Sequence, residues 1–402
     1  MNVFWGICGI LVILGIAFLC SSAKKSIKLR TILAGLTIQI IFAFVVLKWE
    51  TGREGLVAFS DGVTNLISYA NEGISFLFGP LVTDQSGLVF AFQVLTIIIF
   101  FSSLISILYY LGVMQFFIKI IGGVLSKILG TSKAESISAA ANIFVGQTEA
   151  PLVIRPFIAR MTKSELFAVM TGGLASVAGS VLVGYALLGV PLEYLLAASF
   201  MAAPAGLILA KIMIPETEEV DQTDFVMEKD DSSANVVDAA AKGASEGLQL
   251  ALNVGAMLLA FIGIIALLNG LLGGIGGWFG YGDLSLEGIL GFIFSPIAFA
   301  IGVPWTEAVQ AGSYIGQKLV LNEFVAYSSF APEIANLSPK TVIVVSFALC
   351  GFANLSSMAI LLGGLGSMAP SRRSDIARLG FRAVAAGALA SLLSASIAGM
   401  FI

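Results

Sequence analysis

Two glutamates stand in apolar sequence, each beside amide and hydroxyl side chains. Glu149 closes the string Gly146-Gln147-Thr148-Glu149, and Glu323 follows Leu321-Asn322. A carboxylate at the centre of a membrane helix costs about 2.5 to 3.5 kcal/mol on insertion scales. Two of them at comparable places point to binding rather than accident. Carboxylates accept hydrogen bonds, whereas Gln and Asn both donate and accept. The set suits a neutral, hydroxyl-rich ligand whose hydroxyls or ring N–H groups the glutamates could accept from. The competing structural reading is a buried salt bridge to Arg155 or Lys318.

Other chemistry is excluded by what is missing. The chain has no histidine, which removes Ser-His and Cys-His catalysis and histidine proton relays. Its three cysteines, Cys8, Cys20 and Cys350, each lie in an apolar segment and read as packed hydrophobes. Gly280-Tyr281-Gly282-Asp283 matches the GxGD pattern of intramembrane aspartyl proteases but has no second membrane aspartate to face it. The glycine run 273–277 lacks the Lys-Ser/Thr of a phosphate cradle and reads as a helix end.

The elements that must position these residues are set by composition. Of 402 residues, 58% are apolar and 11% charged, against about 25% charged in a soluble domain. The chain therefore reads as an all-α integral membrane protein, and nucleic-acid binding is excluded. Windows long enough to span fall near 3–20, 31–48, 89–113, 165–188, 191–213, 248–272, 340–366 and 379–401, which makes eight. Residues 55–80 are amphipathic and suit an interfacial helix. The stretch 214–246 carries ten acids against Lys229 and Lys242, and reads as a solvated cytoplasmic linker with no ligand role. The basic loop 21–30 predicts a cytoplasmic face, with both termini outside. Counting onward, Lys119, Lys127, Lys133, Lys211, Arg372, Arg373, Arg378 and Arg382 fall on that same face. Four segments result: 1–88 (two helices and the interfacial helix), 89–213 (first repeat), 214–246 (linker) and 247–402 (second repeat).

Two apolar regions, near 134–160 and 304–335, are too broken to span and read as re-entrant hairpins with Glu149 and Glu323 at their tips. Irregular backbone at membrane depth is tolerated only where protein or a cavity surrounds it. After each hairpin comes a helix with a small-polar break, Gly173–Ser180 and Gly351–Met358. Aligned, these pair Ser176 with Asn354 and Gly179 with Ser357; the tips lie 174 residues apart and the breaks 178. Each unit has an odd number of spans, so the repeat is inverted. Inverted repeats with broken segments at the midplane are the architecture of secondary transporters. A channel would instead need a continuous polar lining.

The strings GQTEAPLVIRPF (146–157), NEFVAY (322–327) and CGFANLSS (350–357) resemble the concentrative nucleoside transporter family, and the resemblance runs over essentially the whole chain. It implies a non-enzymatic, cation-coupled nucleoside symporter of the bacterial inner membrane. Protomers of eight helices and two hairpins would assemble as a homotrimer in lipid and take substrates such as uridine. By resemblance, Gln147, Thr148 (through water) and Glu149 contact the base, and Val181 walls it. Glu323, Asn354 and Ser357 hold the ribose hydroxyls, Phe352 packs beside the ligand, and Leu259 or its neighbour Leu258 closes the pocket. Sodium would take the Asn142 side chain, the Val145 carbonyl, the Ser176 side chain and the Val177 carbonyl. None of these groups titrates, which favours sodium over protons as the coupling ion; no other cofactor is implied. Proton coupling through Glu149 or Glu323, or carriage of another small polar metabolite, are the alternatives.

Overall fold

A computed structural model describes residues 2–83, 89–220 and 233–402. Its helices are α1 (Asn2–Leu19), α2 (Leu29–Ala43), α3 (Glu50–Phe78), α4 (Phe90–Tyr110), α5 (Val113–Leu129) and α6 (Lys133–Ala141). They continue as α7 (Lys163–Ala175), α8 (Gly179–Leu187), α9 (Leu192–Met213), α10 (Val236–Trp278), α11 (Leu286–Ala300) and α12 (Trp305–Val320). The last are α13 (Glu323–Phe330), α14 (Pro339–Leu349), α15 (Ser357–Met368) and α16 (Arg373–Ala398). No strand occurs among the described residues.

Burial sorts these helices into two layers. The span α7–α8 and helix α9 are almost wholly enclosed, and α16 largely so, whereas α1, α2, α4 and α10 keep most of their surface outside. Exposed Leu252, Leu259, Ile262, Leu267 and Leu271 run along α10, as expected of a helix that faces lipid rather than water. The amphipathic segment forms one long helix, α3, which starts at Glu50, five residues before the expected boundary.

Seven helices or broken helices of the described chain are long and apolar enough to cross a membrane, or eight if the bent pair α11–α12 is one span. The window at 340–366 is divided into α14 and α15 by the irregular segment 350–356. Helices α11 and α12 meet at a 116° bend. The linker is also shorter than its composition suggests, because residues from Val236 onward begin the 43-residue helix α10. Asp238, Lys242 and Glu246 lie on that helix, and Ala239, Gly243 and Gly247 press its other side onto α4. A Cβ at Gly243 would stand 2.5 Å from Ser106 Cβ, and one at Gly247 2.7 Å from Ser102 Cβ. The hydroxyls of Ser103 and Ser106 donate to the Ala240 and Ala239 carbonyls across the same seam. Asp221, Asp224, Glu228, Asp230 and Asp231 of the linker, and the boundary near 88, lie outside the described residues.

Basic ends gather on one face. The Ser22 amide donates to the Met213 carbonyl, Arg382 donates to the Cys20 carbonyl, and Arg372 reaches the Met161 carbonyl. At the opposite end of α1, Asn2 meets Ile402 and Lys340. The two described chain ends therefore share a face. Lys211, at the basic end of α9, is buried against Glu135 of α6 at 2.7 Å and Glu216 at 3.5 Å. Glu216 thus has a structural partner, where its sequence context suggested only solvation.

Candidate functional site

The first tip is irregular. After α6 ends, residues 142–149 turn without forming a helix, and Ala150–Ile154 make one 3-10 segment. The Gly146 amide donates to Glu149 Oε2 at 2.5 Å, so the carboxylate folds back on its own tip. Glu149 otherwise faces an open cleft, whereas Gln147 is buried and its Oε1 finds no hydrogen-bond partner among the described residues. Arg155 is exposed, and no ion pair joins it to Glu149 among the described residues.

The second tip is a capped helix start. Asn322 is extended and its Oδ1 accepts from the Val325 amide at 2.9 Å, which caps α13. Glu323 is the first residue of that helix and is 5% exposed. Its Oε1 accepts from Tyr185 Oη at 3.1 Å and its Oε2 from Asn354 Nδ2 at 3.1 Å. Lys318 does not pair with it: Lys318 Nζ donates to the Ala348 carbonyl at 2.7 Å and to Ser391 Oγ at 3.0 Å. The salt-bridge reading is therefore set aside at both tips.

The two helix breaks meet at the same place. Asn354 Oδ1 accepts from the Ser357 amide at 2.9 Å and from Ser356 Oγ at 2.7 Å, so it holds the start of α15 as well as Glu323. The Phe352 amide donates to the Ser176 carbonyl at 3.1 Å, a backbone bond from one break to the other. Ser176, Val177 and Ala178 are the non-helical residues between α7 and α8. Val181, one turn into α8, is buried at the cleft wall.

One cleft joins these pieces. It is lined by Gln147, Thr148, Glu149, Val181, Glu323, Phe352, Asn354 and Ser357 of the expected set, with Asn322 and Ser356. Leu250, Val254, Met257 and Leu258 of α10 form one wall, and Gly146, Ala178, Phe324 and Ile360 also line it. Leu259 does not belong to the cleft: it is 82% exposed on the outer side of α10, while Leu258 is 6% exposed and lines it. One residue along a helix is a turn of about 100°, and that rotation decides which leucine closes the pocket. Among the cleft-lining residues, Asn322, Ser356, Leu250, Val254 and Met257 were not singled out from the sequence, and neither was Tyr185 behind Glu323. The signal for Tyr185 was slight, a single phenol one turn beyond Val181 in an apolar helix.

Candidate ion donors lie next to the cleft. Asn142 is buried; its Nδ2 donates to the Ser138 carbonyl at 3.0 Å and its Oδ1 has no partner among the described residues. The glycine pair at the end of α7 lets it approach: a Cβ at Gly172 would lie 3.3 Å from Asn142 Nδ2, and one at Gly173 3.7 Å from Oδ1. Ser176 Oγ donates to the Gly172 carbonyl at 3.1 Å, so the hydroxyl sits beside the same glycines. Val145 and Val177 are buried in the adjoining turn and break. A buried amide oxygen without a donor fits a hard cation, which prefers oxygen ligands. No group of three or more Asp, Glu, Cys or His side chains converges among the described residues.

Comparison with known proteins places this architecture. Residues 8–81 match the Na+ dependent nucleoside transporter N-terminus, 91–192 a nucleoside recognition (gate) family, and 194–399 the Na+ dependent nucleoside transporter C-terminus. An uncharacterized transporter of Bacillus subtilis is 64% identical over the full length of both chains. The nucleoside permease NupC of Helicobacter pylori is 52% identical, covering 99% of this chain and 97% of its own. Human solute carrier family 28 member 3 is 40% identical over 98% of this chain and 59% of its own. The structure of CNTnw in an inward-facing substrate-bound state superposes with a TM-score of 0.96 at 58% identity, covering 100% and 98% of the two chains. A variant of CNTnw in an outward-facing state gives 0.97 at 57% identity, with the same coverage.

Proposed function

We propose, from the premise that this chain belongs to the Na+ dependent nucleoside transporter family, that it is a sodium-driven nucleoside symporter working by alternating access. Members of that family are transporters and not enzymes. The observation that carries the reading is the meeting of both tips and both breaks at one cleft.

In this reading the second tip holds the ribose. Glu323 accepts from one of its hydroxyls, and Asn354 and Ser357 complete the contact. Gln147, Thr148 and Glu149 meet the base, Val181 and Leu258 wall it, and Phe352 packs beside it. Sodium binds as a co-substrate at Asn142, Ser176 and the carbonyls of Val145 and Val177. Every one of those ligands is neutral, so the ion brings its full charge, and inward movement gains about 2.3 kcal/mol per 100 mV of membrane potential. The Ser176–Phe352 backbone bond offers a direct route between ion and substrate, since an ion drawn to Ser176 fixes the carbonyl that holds Phe352.

The assembly follows the same reading. The segments 134–160 and 304–335 act as re-entrant hairpins among eight spans. The basic face lies in the cytoplasm and both termini lie outside, in the bacterial inner membrane. The protomers form a homotrimer.

Radiolabelled uridine uptake into proteoliposomes, under an inward sodium gradient or an inward proton gradient, tests the ion. Sodium should drive uptake. Asn142→Ala should raise the half-saturating sodium concentration by about tenfold or more, the loss expected of one charge-assisted contact. Uptake driven by protons alone would remove the sodium site and pass the coupling role to Glu149 or Glu323.

A further inference from the structure

We infer that Tyr185 is the positioning residue that sets the ribose-binding carboxylate of Glu323. The inference rests on the ribose role just given to Glu323.

The geometry is specific to that purpose. Tyr185 is fully buried on α8, and its hydroxyl has one partner among the described residues, Glu323 Oε1. A buried hydroxyl needs a partner, but a backbone carbonyl would serve. Its neighbour Tyr327 shows that simpler solution, donating to the Ser346 carbonyl at 2.8 Å. Tyr185 instead directs its donor at the group that faces the cleft. Its ring is held by two aromatic residues that follow Glu323 on α13. The Tyr327 ring lies 4.5 Å away, and Phe324 meets it edge-on at 4.7 Å. The hydroxyl therefore has little freedom to wander.

Lone-pair accounting says what remains for substrate. A carboxylate has about four acceptor sites on two oxygens. Tyr185 occupies one on Oε1 and Asn354 one on Oε2. The backbone amide of Glu323 itself takes a third, so about one acceptor site is left over, enough for one ribose hydroxyl. The two fixing donors come from different repeats: Tyr185 from the helix after the first hairpin, Asn354 from the break after the second. The carboxylate is thus held in place only while the two halves stay in register.

Uridine and 2′,3′-dideoxyuridine uptake by purified protein in proteoliposomes tests this. Tyr185→Phe keeps the ring contacts and removes the donor. It should raise the uridine KM about tenfold, as expected for one hydrogen bond to a charged group, and leave kcat and the dideoxyuridine KM nearly unchanged. Adding Tyr185→Phe to Glu323→Gln should change little further, because Tyr185 acts through Glu323. If Tyr185→Phe does not fold, 3-fluorotyrosine at 185, a stronger donor of nearly the same size, should lower the uridine KM alone. Equal effects on both nucleosides, or full additivity with Glu323→Gln, would overturn the inference. Should Glu323→Gln by itself leave the preference for uridine over dideoxyuridine intact, the ribose role of Glu323 fails first, and that of Tyr185 with it.

Discussion

The two tips, around Glu149 and Glu323, carry the same residue type and treat it differently. Glu149 stands in an irregular turn, exposed to the cleft, and its carboxylate is held by the Gly146 amide of its own tip. Glu323 opens a capped helix, is buried, and is held by Tyr185 and Asn354 from two other elements. A group fixed by remote, buried partners has one geometry, whereas a group held by its own loop can follow what it binds. That difference suits a ligand with a constant part and a variable part. Among nucleosides the sugar is constant and the base varies, which agrees with the proposed placing of the sugar at the rigid tip and the base at the adaptable one.

The contrast can be broken at its stronger side first. Glu323→Ala should abolish uridine uptake, with a loss of about a hundredfold or more in kcat/KM. It removes the acceptor and also leaves the Tyr185 hydroxyl and the Asn354 amide buried without it. Residual transport above a tenth of wild type, measured as initial rates, would mean the tip is not rigid anchorage. At the other tip, Glu149→Gln should cost about tenfold, and the cost should differ among uridine, cytidine and adenosine. A uniform loss as large as that of Glu323→Ala would erase the distinction between the tips. The smallest effect is expected at Asn322→Ala. It removes the cap on α13 and should lower stability by about 1 kcal/mol, visible as a reduced melting temperature, while the uridine KM stays within about threefold. A KM change matching that of Glu149→Gln would make Asn322 a substrate contact instead of a cap.

Much of this arrangement was legible in the residues. Glu149 and Glu323 stood out because charge is rare in apolar sequence, and the glycine-serine-asparagine breaks stood out because they interrupt it. Periodicity could not show where α10 begins. Asp238, Lys242 and Glu246 read as solvated linker, yet Ala239, Gly243 and Gly247 recur every four residues, and that small-residue face packs on α4. Small residues carry almost no hydropathy signal, although close helix approach depends on them. The register of α10 at the cleft was open for a related reason. Leu258 and Leu259 are chemically identical, and only packing against the rest of the protein distinguishes them. Tyr185 was silent because a single tyrosine in an apolar helix is ordinary; its meaning comes from Glu323, 138 residues away in the chain.

The hydrogen bond from the Phe352 amide to the Ser176 carbonyl involves no side chain. Any residue but proline at 352, and any residue at 176, can make it. Substitutions at these two positions can therefore change the ring and the hydroxyl without cutting the tie between the two breaks.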